Sequence, residues 1–140
     1  MTWLTWSPLA RFADLGQLVL RAGVGAMMVL HGWPKVAGGA AGWDKLGHAI
    51  GVLGIDFAFT FWGAMAAFSE FLGGALLVIG LGTRPASAAL AFTMLVATLM
   101  HLKGGDGFNG ASHAMALGFV FVGLLFVGAG RYSVDRRLGG

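Results

Sequence analysis

The stretch FAFTFWGAMAAFSEFLGGALLVIGL, residues 57–81, contains a single ionisable residue, Glu70. An apolar run of roughly 17–25 residues is long enough to cross about 30 Å of hydrocarbon as an α-helix. A buried helix of a soluble bundle would instead carry polar residues along its outer face, and the GALLVIGL part of this stretch has none. The stretch therefore predicts a transmembrane helix.

Three further apolar stretches of this kind lie on either side of it, at about residues 15–36, 85–102 and 112–128. The composition agrees, because 57% of the residues are hydrophobic and only 11% are charged, against about 25% charged in soluble domains. We predict an all-α, integral membrane four-helix bundle that forms a single transmembrane domain over residues 1–140, with spans at about 15–36, 57–81, 85–102 and 112–128.

Basic residues are distributed unequally between the two ends of this predicted bundle. The end with both termini carries arginines, whereas lysines and aspartates offset each other at the opposite end. Because basic residues stay on the cytoplasmic side, both termini are predicted to be cytoplasmic. The arginines are Arg11, Arg84, Arg131, Arg136 and Arg137, and the opposing residues are Lys35, Lys45, Lys103, Asp44, Asp56 and Asp106.

Two segments outside the spans have patterns typical of the membrane surface. Trp43, Leu46, Ile50 and Leu53 are spaced near the helical period, which predicts a short interfacial helix between the first two spans. A mobile loop with chance spacing is the alternative. At the N-terminus, an interfacial anchor is predicted because aromatic residues favour the headgroup zone. That anchor comprises Trp3, Trp6 and Phe12, with Arg11.

Several chemistries are excluded by what the chain contains. There is no cysteine, which rules out thiolate nucleophiles and cysteine-ligated iron–sulfur clusters in this chain. The glycine-rich segments lie in spans or turns rather than between a strand and a helix, so there is no nucleotide-binding motif. A net charge of +3 is too small to indicate a nucleic-acid partner.

Four motifs resemble the DoxX-like membrane proteins in order and spacing, over about Arg21 to Asp135. They are HGWPK at 31–35, SEFLGGALLVIGLGTRPA at 69–86, HLKGGDGF at 101–108 and GAGRYSVD at 128–135. The resemblance implies a four-helix bundle in the bacterial plasma (inner) membrane. Some members of the family resemble the quinone-reducing membrane subunit of a thiosulfate oxidoreductase, and others accompany redox or detoxification proteins.

Ionisable residues inside a span are costly, so each one needs a reason. At a helical rise of about 1.5 Å per residue, Arg21 lies roughly 9 Å and Glu70 about 16 Å from the cytoplasmic end of its span. An extended arginine bridges that offset, which predicts an Arg21–Glu70 pair. The pair is interpreted either as a structural lock between the first two spans or as a site where Glu70 carries protons or contacts a ligand headgroup.

A second polar cluster is predicted near the opposite face, where His31, His101 and His113 all lie roughly 24–26 Å in. Lys35 follows His31 by four residues and shares its face. An imidazole exchanges protons near neutral pH and suits a quinone oxygen, and Lys35 would stabilise a reduced, anionic oxygen. The alternatives are that these residues are interfacial and water-exposed, or that the three histidines bind a metal.

We therefore predict a quinone site with Glu70 and His31 as catalytic residues, and no metal. Its cofactor-binding residues are His31, Lys35, Arg21, Glu70 and His101. The chain would be a quinone-associated subunit of a membrane redox or detoxification complex and, if it is enzymatic, a quinone-linked oxidoreductase subunit that needs a partner.

The alternative function is a non-enzymatic scaffold or assembly subunit that docks a partner protein at the arginine-rich cytoplasmic face. The expected partners in either case are membrane lipid and protein subunits, without nucleic acid. The small residues Ala22, Gly25 and Ala26, or Gly118, allow helices to approach closely, and they suit packing within the bundle and a homo-oligomer equally.

Overall fold

The computed structural model describes residues 7–139, and this part of the chain is helical and contains no β-strand. Four of its helices are long and apolar enough to cross a membrane. This confirms the all-α membrane fold with four spans. The first to fourth spans are Pro8–Ala37, Phe59–Ile79, Thr83–Lys103 and Gly107–Val127. Trp3 and Trp6 of the predicted anchor lie outside the described residues.

Two spans begin five or more residues earlier than the hydropathy pattern predicts. The first consists of a 3-10 turn at Ser7–Phe12 that continues into the α-helix Ala13–Ala37, although the apolar run starts only at residue 15. The fourth begins at Gly107, five residues before the predicted position 112. Three residues, Gly104 to Asp106, are enough to reverse the chain, so the polar residues that follow are already helical.

A short helix does form between the first two spans, as the spacing of its apolar residues predicts. The connecting helix, Gly39–Gly47, is followed by a 3-10 turn at His48–Leu53. It packs against the start of the second span, where Gly63 faces the backbone of Trp43 so closely that a Cβ would not fit. Trp43 Nε1 also donates a hydrogen bond of 3.0 Å to the Lys35 carbonyl.

The second span is not a continuous α-helix. An α-helical segment, Phe59–Phe68, leads into a π-helical segment, Ser69–Gly73, and the α-helix resumes at Gly74–Ile79. A π-helical turn inserts extra backbone into a helix and is frequently found at functional sites. Glu70 lies within this turn.

Glycines set the register between the first two spans. A Cβ on Gly25 would lie 2.7 Å from the Gly74 carbonyl oxygen, and one on Gly32 would collide with the backbone of Phe71. Gly32 therefore packs directly against the backbone of Glu70 and Phe71, and Gly25 against that of Gly74 and Val78. The core beside this contact is assembled from all four spans. Its buried members include Met28, Leu77, Leu90, Met94, Phe121 and Leu124.

The bundle has two ends of different construction. The terminal face comprises residues 7–14, 80–85 and 128–138, and the loop face comprises residues 38–58 and 103–107. At the terminal face, the segment after the fourth span forms a short helix at Val134–Arg137. The chain reverses between the second and third spans at Gly80 and Gly82, both of which have positive φ.

Candidate functional site

A cavity of about 420 Å³ lies in the half of the bundle nearest the loop face. The connecting helix and the 3-10 turn after it form one wall, and the first three spans form the others. The volume falls within the usual range for small-molecule sites. Most of the lining is apolar and includes Leu46, Ile50, Met65, Phe92, Val96 and Met100.

The polar centre of the cavity is an ion pair between Lys35 and Glu70. Lys35 Nζ lies 2.6 Å from each oxygen of the Glu70 carboxylate. The Glu70 side chain is 3% exposed and that of Lys35 is 35% exposed. Gly32 lies against the backbone at Glu70 and Phe71, so Lys35, one turn further along the first span, is placed to reach Glu70.

Further polar groups surround this pair. Thr93 Oγ1 and Ser69 Oγ lie within hydrogen-bond distance, at 3.2 Å, and so link the second and third spans. His101 also lines the cavity, with its Nδ1 2.7 Å from an Asp106 carboxylate oxygen. The buried indole N–H of Trp62, another lining residue, has no hydrogen-bond partner within residues 7–139.

The predicted site residues did not include Trp62, Ser69 or Thr93, although their helical spacing is present in the sequence. Trp62, Ala66 and Ser69 recur at intervals of four and three residues along the second span, and Ala89 and Thr93 do so along the third. This is the spacing of one helix face. A search for hydroxyl residues next to Glu70 in the second span would have found Ser69.

The prediction that Arg21 pairs with Glu70 is wrong. Arg21 is fully buried, and its guanidinium donates to the carbonyl oxygens of Leu77, Val78 and Tyr132. The first turns of the first span extend past the end of the second, beside residues 128–131. Counting depth from residue 15 therefore misaligned the two spans, and Arg21 lies about two turns of helix away from Glu70.

The predicted histidine cluster forms only in part. His31 is exposed, with its Nδ1 2.9 Å from the Met27 carbonyl oxygen, and its ring centroid is 6.0 Å from that of His113. Neither of these histidines lines the cavity, and His101 pairs with Asp106 instead. No group of three possible metal ligands among histidine, aspartate and glutamate side chains forms within residues 7–139.

The cavity opens sideways between the second and third spans. Three of its apolar lining residues, Met65, Phe92 and Met100, are 53%, 46% and 38% exposed on the outer surface of the bundle. In a membrane that surface faces lipid. The arrangement suits a lipophilic molecule with a polar end, for which Lys35 offers a hydrogen-bond donor and Glu70 offers a proton acceptor.

Fold and cavity together define an integral membrane four-helix protein with a polar pair inside the bundle. The chain belongs to the DoxX family, whose family model matches residues 16–102. It is 31% identical to the inner membrane protein YqjF of Escherichia coli (strain K12) over 131 residues, which cover 91% of this chain and 95% of that protein.

A second relative is the uncharacterized membrane protein Rv3486 of Mycobacterium tuberculosis (strain ATCC 25618 / H37Rv). It is 36% identical over 101 residues, which cover 61% of this chain and 60% of that protein. No solved structure matches the chain.

Proposed function

We propose that this protein is a quinone-binding subunit of a redox or detoxification complex in the bacterial inner membrane. The observation that carries the proposal is the cavity of about 420 Å³, which opens towards lipid and contains an ion pair at half the depth of the second span. Charged residues within transmembrane spans are rare, and those that occur typically mark ligand sites, ion pathways or proton routes.

The three cavity residues that were predicted from sequence each have a role in this proposal. Lys35 would donate a hydrogen bond to a ring carbonyl oxygen, and Glu70 would hold or accept a proton beside it. His101, held by Asp106 at the end of the cavity nearest the loop face, would exchange protons with water. A bound quinone supplies the electron-accepting chemistry, which these side chains lack.

The proposal includes a partner protein, because quinone reduction needs electrons from outside this chain. With no cysteine and no nucleotide motif, its residues offer no group that delivers them. The location in the bacterial inner membrane is supported by the relative from Escherichia coli, which is named an inner membrane protein.

The test is to measure quinone that co-purifies with the protein from its native membrane, using variants that fill the cavity without touching the ion pair. Ala89 lines the cavity, whereas the neighbouring Ala88 is also exposed but does not line it. We expect a stoichiometric quinone in the wild type and in Ala88→Phe, and its loss in Ala89→Phe. The amount is measured by mass spectrometry of the extracted small molecules.

Three results would overturn the proposal. Quinone at the level of bulk lipid in every sample would mean that the protein binds no quinone specifically. Equal retention in Ala88→Phe and Ala89→Phe would mean that the quinone binds outside this cavity. A co-purifying protein that is retained by all variants, with no quinone in any of them, would favour the non-enzymatic scaffold instead.

A further inference from the structure

A groove lies at the terminal face, at the opposite end of the bundle from the candidate quinone site. Its volume is about 910 Å³. It lies between the start of the third span, the end of the fourth, and the C-terminal segment that includes Ser133 and Arg136. Since both spans end here, the groove is at the level of lipid headgroups.

Three arginines line this groove: Arg84, Arg131 and Arg136. All three are exposed, and none forms an ion pair with a carboxylate in residues 7–139. Arg84 is in the first turn of the third span, where its guanidinium nitrogens lie beside Gly128. Guanidinium groups recognise phosphate oxygens through paired hydrogen bonds.

The two acidic residues of the groove have other partners. Both Asp135 carboxylate oxygens accept backbone hydrogen bonds, from Gly82 N at 2.7 Å and from Thr83 N at 2.9 Å. Asp14 Oδ1 accepts a bond from Arg131 N at 3.3 Å. These contacts leave the three guanidinium groups as the charged hydrogen-bond donors that face the groove.

Apolar side chains stand next to these charges. Val127, the last residue of the fourth span, is 66% exposed and Leu138 is 73% exposed, and both line the groove. An inorganic ion needs no apolar contact, whereas the head and upper acyl chain of a phospholipid need cationic and apolar groups side by side.

We propose that this groove binds the phosphate group of an anionic phospholipid, held by Arg84, Arg131 and Arg136, with an acyl chain along Val127 and Leu138. The site is independent of the quinone cavity and of any activity there. Bound lipid would tie the C-terminal segment to the third and fourth spans.

The experiment is native mass spectrometry of the full chain in detergent, titrated with phosphatidylglycerol, with phosphatidylcholine of the same acyl chains, or with inorganic phosphate. Arg137 is the matched control, because it is exposed beside Arg136 but does not line the groove. We expect phosphatidylglycerol to bind more tightly than phosphatidylcholine. Each of Arg84→Gln, Arg131→Gln and Arg136→Gln should weaken it about fivefold, and Arg137→Gln should leave it unchanged.

The comparison of the two lipids on the wild type needs no variant to fold, and equal binding of both would overturn the proposal. Binding of inorganic phosphate that matches phosphatidylglycerol would show a free phosphate site. An equal loss in Arg137→Gln would show attraction to surface charge without a built site. Unchanged lipid binding, with a co-purifying protein lost from the three groove variants alone, would assign the groove to a protein partner.

Discussion

Lys35 and Glu70 contribute unequally to the polar centre of the bundle. Removing one member of a buried pair leaves the other charge without compensation. Glu70 is 3% exposed, whereas Lys35 is 35% exposed and can reach more polar surroundings. We therefore expect Lys35→Met to destabilise the protein by about 3 kcal/mol. Glu70→Gln should destabilise it less. Thermal unfolding in detergent measures both.

The double variant Lys35→Met, Glu70→Gln is the decisive control for this pair. It leaves no unpaired charge, so it should recover most of the stability that Lys35→Met loses. Additive losses in the double variant would mean that the two side chains act independently, contrary to the 2.6 Å contacts between them.

At the level of single residues, the sequence identified the ionisable groups at the cavity but not their partners. Glu70, Lys35 and His101 stand out as ionisable residues in apolar surroundings, and the structure brings all three to one cavity. Their pairing depends on how far one span is shifted along the other. That shift results from the glycine contacts, which hydropathy does not report.

At the level of helices, the first and second spans are held in register by small residues. A Cβ on Gly32 would collide with the backbone of the second span, which cannot move aside as a side chain can. We expect Gly32→Ala to destabilise the protein by about 1–3 kcal/mol, as overpacking does in other cores. Thermal unfolding in detergent measures this change.

Gly23 is the matched control, since it lies in the same helix and has nothing within 4 Å of the position of its Cβ. Gly23→Ala should leave stability unchanged or raise it slightly, because alanine favours a helix more than glycine does. Similar losses in both variants would show that glycine matters for helix flexibility rather than for contact between the spans.

The same helices show which parts of the fold can be read from hydropathy. All four spans and the connecting helix follow from apolar content and period, because these determine burial in lipid. The π-helical turn at Ser69–Gly73 has no such signature. It shifts the face on which later residues lie, so the orientation of Glu70 could not be derived from a regular helix.

At the level of the whole molecule, Asp135 connects the C-terminal segment to the turn between the second and third spans. Burial raises the pKa of Asp135, but hydrogen bonds from the Thr83 and Gly82 backbone and the charge of Arg21 outweigh it, and the pKa lies below its ordinary value. The ionised form is therefore favoured by folding. Asp135 joins the reversal between the second and third spans to the last helix of the chain.

Acid should weaken this connection. Because the pKa of Asp135 is lower in the folded than in the unfolded chain, its contribution is complete above about pH 5, beyond the ordinary aspartate value near 3.9, and is lost as the pH falls through the folded value. We expect Asp135→Asn to cost about 1–3 kcal/mol near neutral pH, as for other hydrogen bonds to charged groups. Thermal unfolding in detergent as a function of pH measures the difference from the wild type. That difference should shrink below about pH 4.

Asp14→Asn is the control, because Asp14 is exposed and accepts one long bond. A difference between wild type and Asp135→Asn that stays constant down to pH 3 would mean that the Asp135 side chain acts by its shape rather than by its charge.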